Sequence, residues 1–181
     1  MSDLFTIEQE AATGAIFSPC RRYRYLLWRI WDATAPPATF CMMNGSTADE
    51  VDDDATVTRC CERAARWDLT DFLKVGGVKV INAFGWRETD SRKLPLLVAA
   101  GIDIVGPDND RHILEACRGA AIVICGWGNP GHQLLQRGPA VLKLMRDNGI
   151  VPMALKVNAN GSPQHPLYIS YDTLPQPLLR V

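Results

Sequence analysis

The sequence predicts an α/β protein, a three-layer α/β/α sandwich around a short, mostly parallel central sheet. Three observations lead there. Four short, largely apolar runs, at 38–43, 78–84, 121–126 and 151–157, have the length and composition of buried strands. Segments of helical periodicity lie between them, and strands alternating with helices make a mostly parallel sheet covered on both sides. A polar loop follows each run, and in such sheets ligands collect outside the carboxyl ends of the strands.

Each element has its own signal. Residues 13–18 and 23–31 read as a strand pair joined by the turn Pro19-Cys20-Arg21 and added antiparallel to the core. Ala35-Pro36-Pro37 breaks the chain before the run at 38–43. After the polar loop 44–54, Val57, Cys60, Cys61, Ala64 and Ala65 fall at i, i+3, i+4, i+7 and i+8, the apolar stripe of a helix. Asp53 or Asp54 suits its N-cap. Gly76-Gly77 leads into 78–84, a charged loop covers 85–91, and Pro95 leaves the stretch to Gly101 unassigned. Pro107 fits the first turn of a helix that runs to Arg118 and ends at Gly119. The run 121–126 precedes a glycine-rich loop, 127–131, and Pro139 opens a helix with Val141, Leu142 and Met145 facing inward. The run 151–157, a turn at 158–161, the segment 165–169 and a tail from about 172 complete one domain over 1–181, with no internal repeat or linker.

Composition bounds the function. A chain of 181 residues, 47% hydrophobic and 22% charged, can build one real core. No apolar run approaches the ~18–20 residues of a membrane span. The first ten residues lack the basic start and apolar stretch of a signal peptide, which makes the cytoplasm the expected location. Six cysteines show neither C-x-x-C pairing nor zinc-finger spacing, and Cys41, Cys60, Cys117 and Cys125 sit in apolar contexts, as buried reduced thiols do. A net charge of −1 argues against a broad basic DNA-binding face. Arg21, Arg22, Arg24 and Arg29, interleaved with Tyr23, Tyr25 and Trp28, form a local basic stretch, read as the outward side of a strand.

The loops after the apolar runs hold the candidate site residues. Asn44 ends the first run, and its amide can fix a water or a base edge or simply terminate the strand as an Asx-turn. Asn82 lies inside the second run, where a buried amide either bridges backbone groups or faces a ligand. Arg87, Glu88 and Asp90 follow on the next loop as a rim. Trp127-Gly128-Asn129-Pro130-Gly131 lets backbone N–H groups approach a ligand, although it matches no phosphate-binding signature. Of the three histidines, His165 is best placed at the strand-end edge to donate to a developing oxyanion. Asp49, Glu50, Asp52, Asp53 and Asp54 could hold Mg²⁺, but acids at a helix start need no metal to be stable there.

These motifs together resemble a bacterial and phage family catalogued as a domain of unknown function. The resemblance runs from about Phe17 to Leu174. It rests on Met42-Met-Asn44-Gly-Ser-Thr-Ala-Asp49, Val80-Ile-Asn82-Ala-Phe84, Arg87-Glu-Thr-Asp90, Gly106-Pro-Asp-Asn-Asp110, Trp127-Gly-Asn-Pro-Gly131 and His165-Pro-Leu-Tyr168. The family usually places proline after the first Asn, where this chain has Gly45. The family in turn is similar, through short motifs in the same order, to the uracil-DNA glycosylase superfamily. That similarity implies a uracil-DNA-glycosylase-like fold and catalytic roles for Asn44, which would position a water, and His165, which would supply the electrophile. It further implies substrate contacts from Asn82, Arg87, Asp90, Trp127, Gly128, Asn129, Leu167 and Tyr168. The last two read either as residues that wedge or stack or as strand residues of the core. The function expected on this basis is a glycosylase-like hydrolase of a damaged or modified nucleobase, with nucleic acid or nucleotide as partner, no cofactor and no membrane association. Two rivals stand beside it: a non-catalytic module for a nucleotide or modified base, and a Mg²⁺-dependent phosphohydrolase using Asp52, Asp53 and Asp54.

Overall fold

A computed structural model describes residues 12–179; the first ten residues, read above for a leader, lie outside that range. Strands β1 (Thr13–Phe17), β2 (Arg24–Ile30), β3 (Ala38–Gly45), β4 (Gly77–Arg87), β5 (Ile122–Cys125), β6 (Pro152–Ala154) and β7 (Gln176–Pro177) form one sheet in the order β1-β2-β4-β3-β5-β6-β7. The sheet is mixed rather than mostly parallel. The inner ladders β4–β3, β3–β5 and β5–β6 are parallel, whereas β1–β2, β2–β4 and β6–β7 at the margins are antiparallel. The helices are α1 (Ala55–Leu69), α2 (Leu94–Ala99), α3 (Asn109–Cys117) and α4 (Arg137–Asp147). Among the described residues no helix is long and apolar enough to cross a membrane.

The inner strands are mostly apolar because both their faces are covered. Alternate residues go to opposite sides. Cys41, Ile81, Ala83, Val123 and Cys125 join one cluster with Ile113, Val141, Leu142 and Met145 of α3 and α4. Ala38, Phe40, Met42, Val78, Val80 and Ile124 join another with Val57, Cys60, Ala64 and Trp67 of α1. Thr39, buried within β3, donates its hydroxyl to the Ala116 carbonyl at 2.9 Å, so the one polar side chain in that strand's centre is satisfied.

Several predicted bounds shift. Asp54 is the N-cap of α1, and its Oδ1 accepts from the N–H groups of Thr56 and Val57, both at 2.9 Å. Within α1, Ala65 is exposed and Arg63 is buried in its place. Arg63 is tolerated there because its guanidinium donates to the carbonyls of Ile169, Ser170, Tyr171 and Thr173, fastening the C-terminal segment to the helix. β4 extends to Arg87, past the expected loop boundary, and Pro95 sits in the first turn of α2. The run expected over 151–157 forms a strand only across Pro152–Ala154, and Val157 makes an isolated bridge to Pro163. Residues Pro166–Tyr168 form a 3-10 turn, not a strand, since Pro166 has no N–H to give a ladder.

Candidate functional site

β3, β4 and β5 are neighbouring parallel strands, and a cavity of about 480 Å³ opens beyond their carboxyl ends. Met42, Met43 and Asn44 reach it from β3, Val80 and Asn82 from β4, and Trp127, Gly128 and Asn129 from the loop after β5. The first turn of α1 and the 165–168 segment supply the remaining walls. Its size is within the ~300–1,000 Å³ typical of small-molecule sites.

Three polar side chains set its chemistry. Asn44 donates through Nδ2 to the carbonyls of Gly45 (3.0 Å) and Glu88 (2.5 Å), which leaves its amide oxygen as an acceptor. Asn82 is wholly buried, and its surroundings orient Nδ2 toward the main-chain oxygens of Asn44 (3.2 Å) and Ile81 (3.3 Å), so Oδ1 is again the atom left over. His165 accepts the Leu167 N–H on Nδ1 at 3.3 Å. The neutral ring therefore carries its proton on Nε2. Burial pushes the His165 pKa below the ordinary histidine value, against a smaller opposing pull from Asp54, so the imidazole is neutral at neutral pH.

The turn bearing His165 docks on β5 through Gly126. A Cβ at that position would lie 2.7 Å from Cδ of Pro166, so only glycine admits the approach. Gly128 adopts a φ of +74° and donates its N–H to the Pro163 carbonyl at 2.9 Å, joining the two loops. Asn129 is exposed, and its Oδ1 accepts from Asn160 Nδ2 at 2.8 Å, a second tie between them. Trp127 lines the cavity but is only 2% exposed. Its indole Nε1 lies against Gly138 of α4, and the ring belongs to the core on that side. Leu167 is half-buried on the cavity wall, and Tyr168 stands at the rim, 77% exposed, with its ring 5.9 Å from that of His165.

Two expected site residues lie elsewhere. Arg87, the last residue of β4, stacks over Phe17 at 4.8 Å and does not line the cavity. Asp90 accepts from the Arg92 N–H at 3.1 Å and pairs with the Arg92 guanidinium at 2.8 Å, capping a 3-10 turn. Loop position alone suggests both, yet β4 extends through 87, and in the turn that Asp90 caps it is Ser91 that reaches the cavity.

Glu88, expected at the rim, and Asp54 line the cavity, as do Arg24, Ser46 and Thr89, for which the sequence gives no site signal. Arg24 and Arg29 are not the outward face of β2; both are buried. Arg29 meets Asp53 at 2.7 Å and the carbonyls of Trp28, Asp49 and Asp52, and Arg24 donates Nη1 to the Ala48 carbonyl at 2.9 Å. Two side chains of β2 thus hold the 45–54 loop from beneath. Burial lowers the Arg24 pKa to about 10, with Asp54 opposing and Arg87 and Arg29 adding to the shift. Behind the site, buried Asn109 donates to the carbonyls of Asn82 (2.9 Å) and Ala83 (3.2 Å), and Arg137 Nε donates to Ala83 (2.7 Å). These residues fix the end of β4 from the α3–α4 side. The acids of the 49–54 loop are similarly engaged. Asp49 accepts from Val51 and Asp52, Glu50 pairs with Arg21, Asp53 with Arg29, and Asp54 caps α1.

A family model described as "Protein of unknown function (DUF1643)" matches residues 24–167. The chain belongs to that family. The DUF1643 match takes in every cavity-lining residue but Tyr168, from Arg24 on β2 to Leu167 in the last turn. No curated protein and no solved structure matches the chain.

Proposed function

We propose that this DUF1643 cavity is a nucleobase site and that the protein hydrolyses the N-glycosidic bond of a damaged or modified base in DNA. In this reading the fold is a three-layer sandwich of the uracil-DNA glycosylase type, with α1 on one face and α2–α4 on the other. The observation that carries the reading is the convergence of Asn44, Asn82 and His165 on one cavity beyond three parallel strands. Asn82 Oδ1 accepts from an N–H on the base edge. His165 Nε2–H donates to the oxygen that gains charge as the base departs, where a preorganised donor acts most strongly. Asn44 Oδ1 accepts from a water and aims it at the sugar carbon; an amide orients that water without deprotonating it, so turnover is slow. Leu167 and Tyr168 at the rim meet a base swung out of its stack or presented on a single strand.

The test is release of free base from oligonucleotides carrying uracil, other damaged bases or phage-type modified bases. His165→Ala is expected to slow release by roughly 100–1,000-fold, and Asn44→Asp to keep or raise it. Because His165 acts as the neutral ring, the rate stays flat on the alkaline side and falls only below the ordinary value of 6.5, as pH drops through the depressed value of this residue. A second reading, a base-binding module without chemistry, is favoured by the amide at the water position. It replaces the first if no substrate of the panel is cleaved while a base or nucleoside still binds.

A further inference from the structure

We propose that Arg24 and the first turn of α1 form an oxyanion subsite in the cavity wall, which takes a phosphoryl group of the nucleotide whose base lies toward Asn82 and His165. The identity of the attached group rests on the nucleobase reading; the anion subsite does not.

Arg24 carries a charge that no contact meets. Arg24 is 2% exposed and lines the cavity. A guanidinium offers five N–H donors. Among the described residues it makes one hydrogen bond, from Nη1 to Ala48, and Nε is buried with no partner. The other buried arginines have more partners: Arg29 has a carboxylate and three carbonyls, and Arg63 has four carbonyls although its Nε is also without one. No carboxylate of the described residues comes within salt-bridge distance of Arg24. A buried charge left this way is strongly unfavourable unless a ligand supplies the counter-charge. A second arginine compounds the problem. A Cβ at residue 45 would touch both Arg24 Cβ and Arg87 Cγ at 3.4 Å, so the two side chains converge beneath Gly45, and Arg87 Nε is likewise buried without a partner.

The same wall presents the N-terminus of a 15-residue helix, with Asp54, Ala55, Thr56 and Val57 on the cavity. Helix N-termini favour anions through the peptide dipoles and free N–H groups. The Asp54 carboxylate opposes an incoming anion, but its Oδ1 is held by two N–H groups of the helix, and the Ala55 N–H has no acceptor among the described residues. The hydroxyls of Ser46 and Thr56 lie on the same cavity. A guanidinium, a helix N–H and hydroxyls are the donors a phosphoryl group needs.

The experiment titrates the full chain by calorimetry and thermal shift with inorganic phosphate, with nucleosides, with the matching 5′-monophosphates and with short single-stranded oligonucleotides. Expected are a rise in Tm with phosphate that chloride at equal ionic strength does not reproduce, and monophosphates bound about tenfold or more tighter than their nucleosides. Arg24→Gln loses that gain and Arg24→Lys keeps part of it; circular dichroism verifies that both fold, and the phosphate titration of the wild type decides the matter if they do not. Oligonucleotides gaining as much as monophosphates identify the group as a diester. Nucleosides and monophosphates binding alike, with no effect of phosphate, overturn the subsite and leave the nucleobase reading standing. Phosphate binding without any nucleoside or nucleotide binding does the reverse.

Discussion

Gly126→Ala tests how the site is held together. The added methyl would lie 2.7 Å from Cδ and 3.0 Å from Cγ of Pro166, and 3.5 Å from Sδ of Met42. Carbon–carbon contacts are ordinarily ~3.5–4.0 Å, so about 1 Å of separation must be found. The strand cannot easily supply it, because the Gly126 N–H is bonded to the Cys41 carbonyl at 2.8 Å. The 165–168 turn therefore retreats, and His165 moves with Pro166. Overpacking of this kind costs about 1–3 kcal/mol. At ~2–4 °C per kcal/mol for a chain of this size, Tm falls by roughly 2–12 °C. If His165 acts as proposed above, its displacement by about 1 Å is expected to lower the rate of base release by about 100-fold. Thermal denaturation measures the first effect, and base release or nucleobase titration the second. Wild-type Tm together with wild-type ligand affinity would show that the turn does not depend on the close approach at Gly126.

Three further outcomes follow from the same contacts. Asp54→Ala removes the cap of α1 and is expected to cost ~0.5–2 kcal/mol in denaturant unfolding, whereas Asp54→Asn keeps the cap and most of the stability; equal losses for both would mean that the charge, not the cap, matters. Arg63→Ala leaves the carbonyls of Tyr171 and Thr173 without their donor and takes one of two donors from those of Ile169 and Ser170, which keep Arg59 and the Thr173 N–H. It is expected to cost ~2–4 kcal/mol and to make the C-terminal segment cleavable by protease; an unchanged proteolysis pattern would contradict the fastening role. Burial pushes the Cys61 and Cys117 thiols up to about 12 and those of Cys41, Cys60 and Cys125 up as well, while Cys20 is exposed and its thiol is lowered by the Ser18 hydroxyl. Cys20 should therefore react first with a thiol reagent, and six thiols should titrate after denaturation; a total below six would indicate a disulfide.

The site was legible in the sequence where local pattern carries it. Asn44, Asn82 and Gly128 are marked by the ends of apolar runs and His165 by the loop that precedes it, and the cavity lies at the ends of the inner parallel strands. What was hidden depends on long-range partners. Arg24 and Arg29 stand in an alternating basic and aromatic stretch that reads as a solvated strand face; only the carbonyls and carboxylate of the 48–53 loop, some 20 residues later, make their burial possible. Arg63 replaces Ala65 in the buried stripe for the same reason, with partners over 100 residues away. Asn109 sits in a motif that the sequence singled out, but its use, supporting the backbone of Asn82 and Ala83, is set by how α3 packs on β4. Arg87 and Asp90 do not line the cavity, because charge on a loop beside it does not say which way the side chains turn.

The nucleobase reading is tested most directly by a crystal structure of the protein soaked with free bases, beginning with uracil. The account predicts a planar base in the cavity, with its N–H edge on Asn82 Oδ1 and an exocyclic oxygen within hydrogen-bond reach of His165 Nε2. A base bound away from the β3–β5 carboxyl edge, or no bound base at millimolar concentration, would contradict it.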